Sequence, residues 1–423
     1  MYVKSLRIQN LKCFREASLE LQFRGRMPAS PSPALANVNL LLGDNGTGKT
    51  TVLKAIALAA LSRVMERSGY TPYWLVRRGA TAADVQATLV LHGQDVGSKT
   101  EELRETSVRT RIFRPSLSSA EWISSPFRTS PIWERMYEER SPAFFLAGYG
   151  ATRRVAGSQE FDRASLRKLR AARYQRVASI FEDHVALAPL NAWLPRLLRN
   201  QSARAREAVT LINRLLPGAT RFRGEIENGE IVFSHRGVNV PVAALSDGYR
   251  AFVGWLSDLL LNLCTGLPSH MRIRDVAGVV LVDEIDLHLH PSWQREVIPK
   301  IAAALPTLQF IFSSHSSIVA GTLMASNIFR MEPAPRGAAT VSTLTAGIHG
   351  LNADQILTGP YFGLPSTRAE GHLHRLRSLA ARAAAGDRSA GISFLDSLAS
   401  GSEAGPAKIR RARPRKRSKP ASR

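Results

Sequence analysis

A glycine-rich segment near the start of the chain constrains the fold more than any other feature. It consists of Gly43, Asp44, Asn45, Gly46, Thr47, Gly48, Lys49, Thr50 and Thr51. A glycine, four further residues and then Gly-Lys-Thr form the pattern of a loop that cradles phosphates. Residues 37–42 indicate a buried strand before this loop, and residues 52–61 indicate a helix after it. We therefore expect these nine residues to bind a nucleotide.

Each residue type in this loop has a chemical role in phosphate binding. Glycine lets backbone N–H groups close around a phosphate at the positive end of the following helix. Lys49 can reach the outer phosphates, and Thr50 can offer its hydroxyl to Mg²⁺. The loop therefore predicts a site for a nucleotide that carries Mg²⁺.

Two later strands end in polar residues that could complete this site. Residues 279–282 indicate a buried strand, and Asp283 and Glu284 follow it directly. Asp283 can hold Mg²⁺ directly or through water, and Glu284 is placed to polarise an attacking water. His315 follows the apolar strand 308–314 and could hydrogen-bond a terminal phosphate. The alternatives are a solvated acidic turn and an ordinary surface or core histidine.

Leu245, Ser246, Asp247 and Gly248 precede or begin a helix that the pattern predicts over residues 247–263. Ser246 or Asp247 could simply cap the first amides of this helix. Exposed amides at a helix start also bind phosphate, whether it belongs to the same chain or to another. Both interpretations can hold together.

Taken in order, these four motifs resemble the head of ABC-type ATPases over residues 1–350. Residues 8–14 and 283–291 resemble the heads of the RecF, SMC and OLD group more than those of transporters. The resemblance implies an α/β fold, a P-loop ABC-type head with a central, mostly parallel sheet, an antiparallel β subdomain and an inserted helical lobe. It also implies ATP as the ligand, with Mg²⁺, and ATP hydrolysis as the activity.

The same resemblance implies a homodimer, or a higher oligomer, closed around ATP. Ser246 and Gly248 of one subunit would contact the ATP held by Lys49 of the other, and His288 and His290 would lie in the loop between the two sites. One motif of the family is missing, because no convincing glutamine loop follows the phosphate loop. Gln159 is a weak candidate, and the turn formed by residues 148–153 is a better one.

Composition divides the chain into five expected regions. These are the first part of the head (1–158), a basic helical lobe (159–217), the second part of the head (218–350), a small helical region (351–400) and a disordered basic tail (401–423).

The formal net charge is +23, and residues 407–423 hold nine Lys or Arg and no acid. Residues 162–214 hold eleven basic and four acidic residues. A nucleic-acid partner at the lobe or the tail is therefore expected.

Cysteine usage and hydropathy indicate the compartment. Cys13 and Cys264 are too few and too isolated for a disulfide framework. The first seven residues are too charged for a signal peptide, and the apolar runs are too short to span a bilayer. We expect a cytoplasmic protein without a membrane segment.

Residues 351–364 resemble stand-alone ATPases of bacterial anti-phage systems, such as the Septu ATPase component. We therefore expect an ATP-driven switch that controls a separately encoded effector, a nuclease. One alternative is a RecF-like repair ATPase that loads on DNA. Another is an OLD-type nuclease, but the roughly 70 residues after Gly350 contain few acids and are too short for its nuclease domain.

Overall fold

The computed structural model describes most of the chain. The described residues are 1–26, 34–97, 104–115, 120–125, 131–138, 141–155, 171–200, 202–216, 218, 220–227, 230–334 and 338–399. They belong to two compact units, Met1–Gly363 and Leu364–Arg423. The expected basic tail and Gln159 lie outside the described residues.

The described strands form three sheets. In chain order they are β1 (Tyr2–Leu11), β2 (Phe14–Glu20), β3 (Val38–Gly43), β4 (Ala82–Leu91), β5 (Arg104–Phe113), β6 (Trp122–Ser124), β7 (Phe145–Tyr149), β8 (Thr220–Glu227), β9 (Glu230–His235), β10 (Val238–Pro241), β11 (Gly278–Val282), β12 (Leu308–Ser314), β13 (Ile328–Ala334) and β14 (Ala338–Ser342). The sheet orders are β2-β1-β4-β5-β6, β10-β9-β8 and β14-β13-β3-β12-β11-β7.

The described helices are mostly short. They are α1 (Lys49–Glu66), α2 (Gly93–Val96), α3 (Pro131–Glu134), α4 (Ala172–Gln175), α5 (Ala178–Phe181), α6 (Leu194–Arg199), α7 (Ala203–Leu215), α8 (Asp247–Cys264), α9 (Pro291–Gln294), α10 (Val297–Ala304), α11 (Ser317–Ala320), α12 (Ala353–Thr358), α13 (Glu370–Ala384) and α14 (Arg388–Ala399). The second unit contributes α13 and α14. In the part of the chain that the structure describes, no helix combines the length and apolar content that a membrane span needs.

The six-stranded sheet is the centre of the first unit. Its strands β7, β11, β12, β3 and β13 are parallel, and β14 is an antiparallel edge strand. Leu40 and Leu42 of β3 pack into one apolar core, and Leu41 packs into another. This alternation is typical of a strand that is buried on both faces. The expected α/β fold, with a central, mostly parallel sheet beside an antiparallel sheet, is confirmed.

Each face of this sheet is covered by its own set of elements. The core that contains Leu40 also contains residues of α7 and α8, and includes Leu211 and Trp255. The core that contains Leu41 joins α1 to the five-stranded antiparallel sheet. The helical segment 171–216 thus adds apolar side chains to the cores of the first unit.

A buried amide joins the antiparallel sheet to the central sheet. Gln309 of β12 has no exposed surface. Its Oε1 accepts a hydrogen bond of 2.8 Å from the Val3 N–H, and its Nε2 donates to the Val3 and Gln22 carbonyls at 2.8 and 2.9 Å. The two bonds to Val3 satisfy buried backbone groups of β1.

We predict that Gln309→Leu lowers the free energy of unfolding by about 2 to 5 kcal/mol, because it leaves both polar groups of Val3 buried and unpaired. Thermal or denaturant unfolding of the purified chain measures this change. The control is Gln9→Leu, since Gln9 is a partly exposed residue of the same strand as Val3. Equal losses of stability in the two variants would contradict the structural role of Gln309.

Candidate functional site

A pocket of about 330 Å³ lies at the carboxyl ends of the central strands. It is lined by Lys12, Cys13, Asn45, Gly46, Gly48, Lys49, Thr50, Thr51, Glu284 and His315. Val282 of β11 pairs with Phe312 of β12, which pairs with Leu40 of β3. These adjacent parallel strands bring the glycine-rich loop, Glu284 and His315 to one edge of the sheet, where α/β folds bind ligands.

The glycine-rich loop has a backbone conformation that residues with a Cβ atom rarely adopt. Gly46 and Gly48 have φ angles of +79° and +97°. A Cβ atom on Gly48 would lie 2.5 Å from Cys13 Sγ and 2.7 Å from the Phe14 ring. The loop therefore rests directly on the turn between β1 and β2. No side chain caps the start of α1, and its first turn contains no acidic residue. Its first amides and its positive helix end suit a bound phosphate.

The remaining loop residues stabilise this shape or face solvent. Thr47 is buried, and its Oγ1 donates to the Asp44 carbonyl at 2.7 Å. Thr51 is buried in the first turn of α1, whereas Asp44 and Asn45 are exposed. Gly43 lies so close to the Met331 carbonyl that a Cβ atom would clash with it. The loop is thus fixed at its base and open at its tip.

Lys49 is a buried cation at the bottom of the pocket. Its side chain is 6% exposed, and Nζ donates to the Gly43 and Asp44 carbonyls at 2.8 and 2.9 Å. Burial lowers the pKa of Lys49, and the nearby carboxylates of Asp283 and Glu284 oppose this shift. The negative charge of a bound polyphosphate would stabilise the charged form of the desolvated Lys49 ammonium.

Thr50 and Asp283 bring two oxygen ligands together. Thr50 Oγ1 donates to Asp283 Oδ2 at 2.7 Å, and Ser313 Oγ donates to Asp283 Oδ1. Asp283 is only 4% exposed. Mg²⁺ prefers a hydroxyl and a carboxylate oxygen, and it retains several of its waters. The donor set therefore fits this ion. Across the described residues, no group of three or more His, Cys, Asp or Glu is placed to hold a metal on its own.

Glu284 and His315 line the same pocket from the segments that follow β11 and β12. Glu284 has a φ angle of +48°, which is unusual for a residue with a side chain. His315 Nε2 is buried and has no hydrogen-bond partner within the described structure. Burial and then the charge of Lys49 lower the pKa of His315. A neutral imidazole with a free nitrogen can accept or donate one hydrogen bond to a ligand.

Leu245, Ser246, Asp247 and Gly248, here called the signature, lie outside the pocket lining on the same chain. Leu245 is buried, and Ser246 and Asp247 are exposed at the start of α8. Ser246 occupies the cap position, but its side chain makes no capping hydrogen bond. Gly248 lies against the His288 carbonyl so closely that a Cβ atom would clash with it. Of these four residues, none lines the pocket within the described chain.

The two histidines of the following loop have different surroundings. Both are exposed, and His288 has a φ angle of +62°. His290 caps α9, because its Nδ1 accepts a hydrogen bond of 3.3 Å from the Ser292 N–H. The His288 carbonyl therefore contacts Gly248 of the signature, whereas His290 caps the start of α9.

Four residues of the site were not predicted from the sequence. Lys12 and Cys13 line the pocket from the turn between β1 and β2. Ser313 binds Asp283 and the Glu284 N–H, and the Arg153 guanidinium donates to the Asp283 and Glu284 carbonyls. Of these four residues, only Arg153 had an indirect indication in the sequence, because it belongs to the turn suggested as the substitute for a glutamine loop.

Comparison with known proteins gives a family match and several relatives. The family model described as "AAA domain, putative AbiEii toxin, Type IV TA system" matches residues 38–320. The Septu protein PtuA of Bacillus mycoides (strain KBAB4) is 23% identical over 86% of this chain and 45% of its own length. The Retron Ec83 probable ATPase of Escherichia coli is 32% identical over 29% of this chain and 23% of its own length. The chain thus spans less than half the length of these relatives.

Among solved structures, an SMC head bound to the C-winged helix domain of ScpA aligns with 81% of this chain and 98% of its own. The alignment has 17% identity and a TM-score of 0.49.

We predict that Lys49→Met raises the pKa of His315 toward its usual value, because it removes a nearby positive charge. A titration of the imidazole signals by NMR measures the shift, and exposed His290 is the internal control. In the unchanged chain the folded state disfavours protonated His315. Its contribution to stability is therefore present above pH of about 6.5 and decreases as the pH falls toward the lowered pKa. An unchanged His315 titration in Lys49→Met would contradict the described proximity.

Proposed function

Because the chain belongs to the family described as "AAA domain, putative AbiEii toxin, Type IV TA system", we propose that it is an ATPase that acts as a nucleotide-driven switch in an anti-phage defence complex. The ATPase proposal rests on one pocket, which is lined by Lys49, Thr50 and Glu284 and in which Thr50 is hydrogen-bonded to the adjoining Asp283. The similarity to a protein named Septu PtuA and to one named as a retron ATPase supports the defence context.

The residues that line or adjoin the pocket would have distinct roles in ATP hydrolysis. The amides at the start of α1 and the Lys49 ammonium bind the phosphates, while Thr50 and Asp283 would hold Mg²⁺. When bound, Mg²⁺ neutralises charge on the terminal phosphates. Glu284 accepts a proton from the attacking water and orients it, and His315 hydrogen-bonds the terminal phosphate. These roles use only groups that line or adjoin the pocket.

We propose further that the working site is shared between two subunits. Ser246 and Asp247 are exposed at the start of an 18-residue helix whose first amides have no side-chain cap. Such amides favour an anion, but the pocket of the same chain lies elsewhere. A head-to-tail dimer would bring Ser246 and Gly248 of one subunit to the ATP of the other. ATP would then bind the closed dimer better than the open one, and hydrolysis would allow the dimer to open.

The partner of this switch is proposed to be a separately encoded effector, a nuclease. The resemblance of residues 351–364 to stand-alone defence ATPases supports this. A RecF-like repair ATPase that loads on DNA is the alternative, and the net charge of +23 favours contact with nucleic acid in either case. A nuclease gene next to the gene for this chain would support the defence proposal.

We predict that Glu284→Gln retains ATP binding but hydrolyses ATP about 100-fold or more slowly, because it loses the base and keeps every phosphate contact. The slow variant should accumulate as a closed dimer. Steady-state hydrolysis and light scattering with and without ATP measure both effects.

Glu296→Gln is the matched control, since Glu296 is exposed and pairs with Lys300 at 2.6 Å outside the pocket. It should hydrolyse ATP like the unchanged chain. Normal hydrolysis by Glu284→Gln, or a variant that stays monomeric with ATP, would remove Glu284 from the proposed role.

A further inference from the structure

Arg153 is a buried guanidinium beside the proposed base. The residue is 5% exposed, and one nitrogen, Nη2, donates to both the Asp283 and the Glu284 carbonyls. These two carbonyls belong to the two peptide groups on either side of the Glu284 Cα atom. Arg153 therefore contacts the backbone before and after the base and leaves its carboxylate unoccupied.

Ser313 holds the opposite ends of the same two peptide groups. The Glu284 N–H donates to Ser313 Oγ at 2.8 Å, and the Ile285 N–H donates to the Ser313 carbonyl at 3.0 Å. Each peptide group is thus bound at its carbonyl by Arg153 and at its N–H by Ser313. Fixing both peptide planes fixes φ and ψ of Glu284 and hence the direction of its Cα–Cβ bond.

This restraint acts on a backbone that would otherwise relax. Glu284 has a φ angle of +48°, a conformation that residues with a Cβ atom avoid unless their surroundings impose it. From this conformation the side chain reaches the pocket. A base must stand in the correct place relative to the attacking water, and small displacements cost rate.

We propose that Arg153 is the positioning residue of Glu284: it holds the two peptide groups around the base and thereby aims the carboxylate at the attacking water. This inference rests on the proposed function, because it assigns Arg153 to the same hydrolytic site. Arg153 touches neither nucleotide nor water in this role and acts only through Glu284.

The surroundings of Arg153 also connect the base to distant elements. The Arg154 carbonyl accepts a hydrogen bond of 2.7 Å from the Leu187 N–H. Val155 packs directly against Gly254 of α8, the helix that begins with the signature residues.

A buried arginine is costly, and this one is incompletely paired. Burial lowers the pKa of Arg153 to about 10, although Asp283, Asp286 and Glu284 oppose the shift. Its Nε has no hydrogen-bond partner within the described residues. An apolar side chain of similar length would avoid this desolvation, so the contacts to the two carbonyls are the feature that requires arginine here.

The chain offers a matched control in Arg173. It is 3% exposed, and it too donates to backbone carbonyls, at 3.1 Å to Phe144 and 2.9 Å to Glu138. Burial also lowers its pKa to about 10. Arg173 does not line the pocket. A loss of activity that comes only from disturbing a buried arginine should therefore appear equally at both positions.

The test compares Arg153→Met, Arg153→Lys and Arg173→Met in the full chain by kcat, KM for ATP and thermal unfolding. Arg153→Met should lower kcat by about 10- to 100-fold, while KM changes less than about threefold. Arg153→Lys should recover part of the loss, because one ammonium can still donate to the carbonyls. Arg173→Met should lower Tm and leave kcat per folded molecule unchanged.

Wild-type kcat in Arg153→Met, or equal losses in Arg153→Met and Arg173→Met, would overturn the proposal. If Arg153→Met does not fold, Arg153→Lys decides: a kcat reduced at unchanged KM supports the proposal, and a wild-type kcat overturns it. Glu284→Gln in the same series separates the positioning role of Arg153 from the proposed ATPase function. If Glu284→Gln is inactive while Arg153→Met is active, only the positioning role fails. Normal hydrolysis by Glu284→Gln would contradict the proposed function itself.

Discussion

The hydrogen bond from Thr50 Oγ1 to Asp283 Oδ2 joins two segments that lie 233 residues apart in the chain. It connects the first turn of α1 to the residue that follows β11. The bond forms because β12 stands between β3 and β11 in the central sheet, which aligns the ends of all three strands. Lys49, Glu284 and His315 depend on the same alignment, so the pocket exists only when the central sheet has this order.

Part of the backbone strain in the described residues lies beside this pocket and in the loop that follows Glu284. Glu284, Arg153 and His288 all have positive φ angles, at +48°, +37° and +62°. Each such residue costs about 1 to 3 kcal/mol, and it persists only where its surroundings impose the conformation. Here the fully buried strands β11 and β12 supply those surroundings. The site is therefore held in advance of any ligand, and the loop that follows Glu284 carries His288, whose carbonyl lies against Gly248.

Much of this arrangement could be predicted from local sequence. The loop pattern, the apolar run before Asp283 and the helix after Ser246 are signals within a few residues, and the structure contains all three elements. Arg153 and Ser313 were not assigned, because their partners are backbone groups of a distant segment and leave no pattern in the sequence. Gln309 was missed for the same reason. The boundaries of the helical lobe and the roles of the site residues stay predictions.

The proposed working site combines the phosphate loop of one subunit with the signature of another. The most direct measurement mixes Lys49→Ala with Ser246→Arg, each inactive alone, and follows ATP hydrolysis while labelled subunits report mixed dimers. A shared site should give about one quarter of the wild-type rate at equal amounts, since half of the dimers are mixed and each of these holds one intact site of two. Mixed dimers that form but hydrolyse no ATP would contradict it.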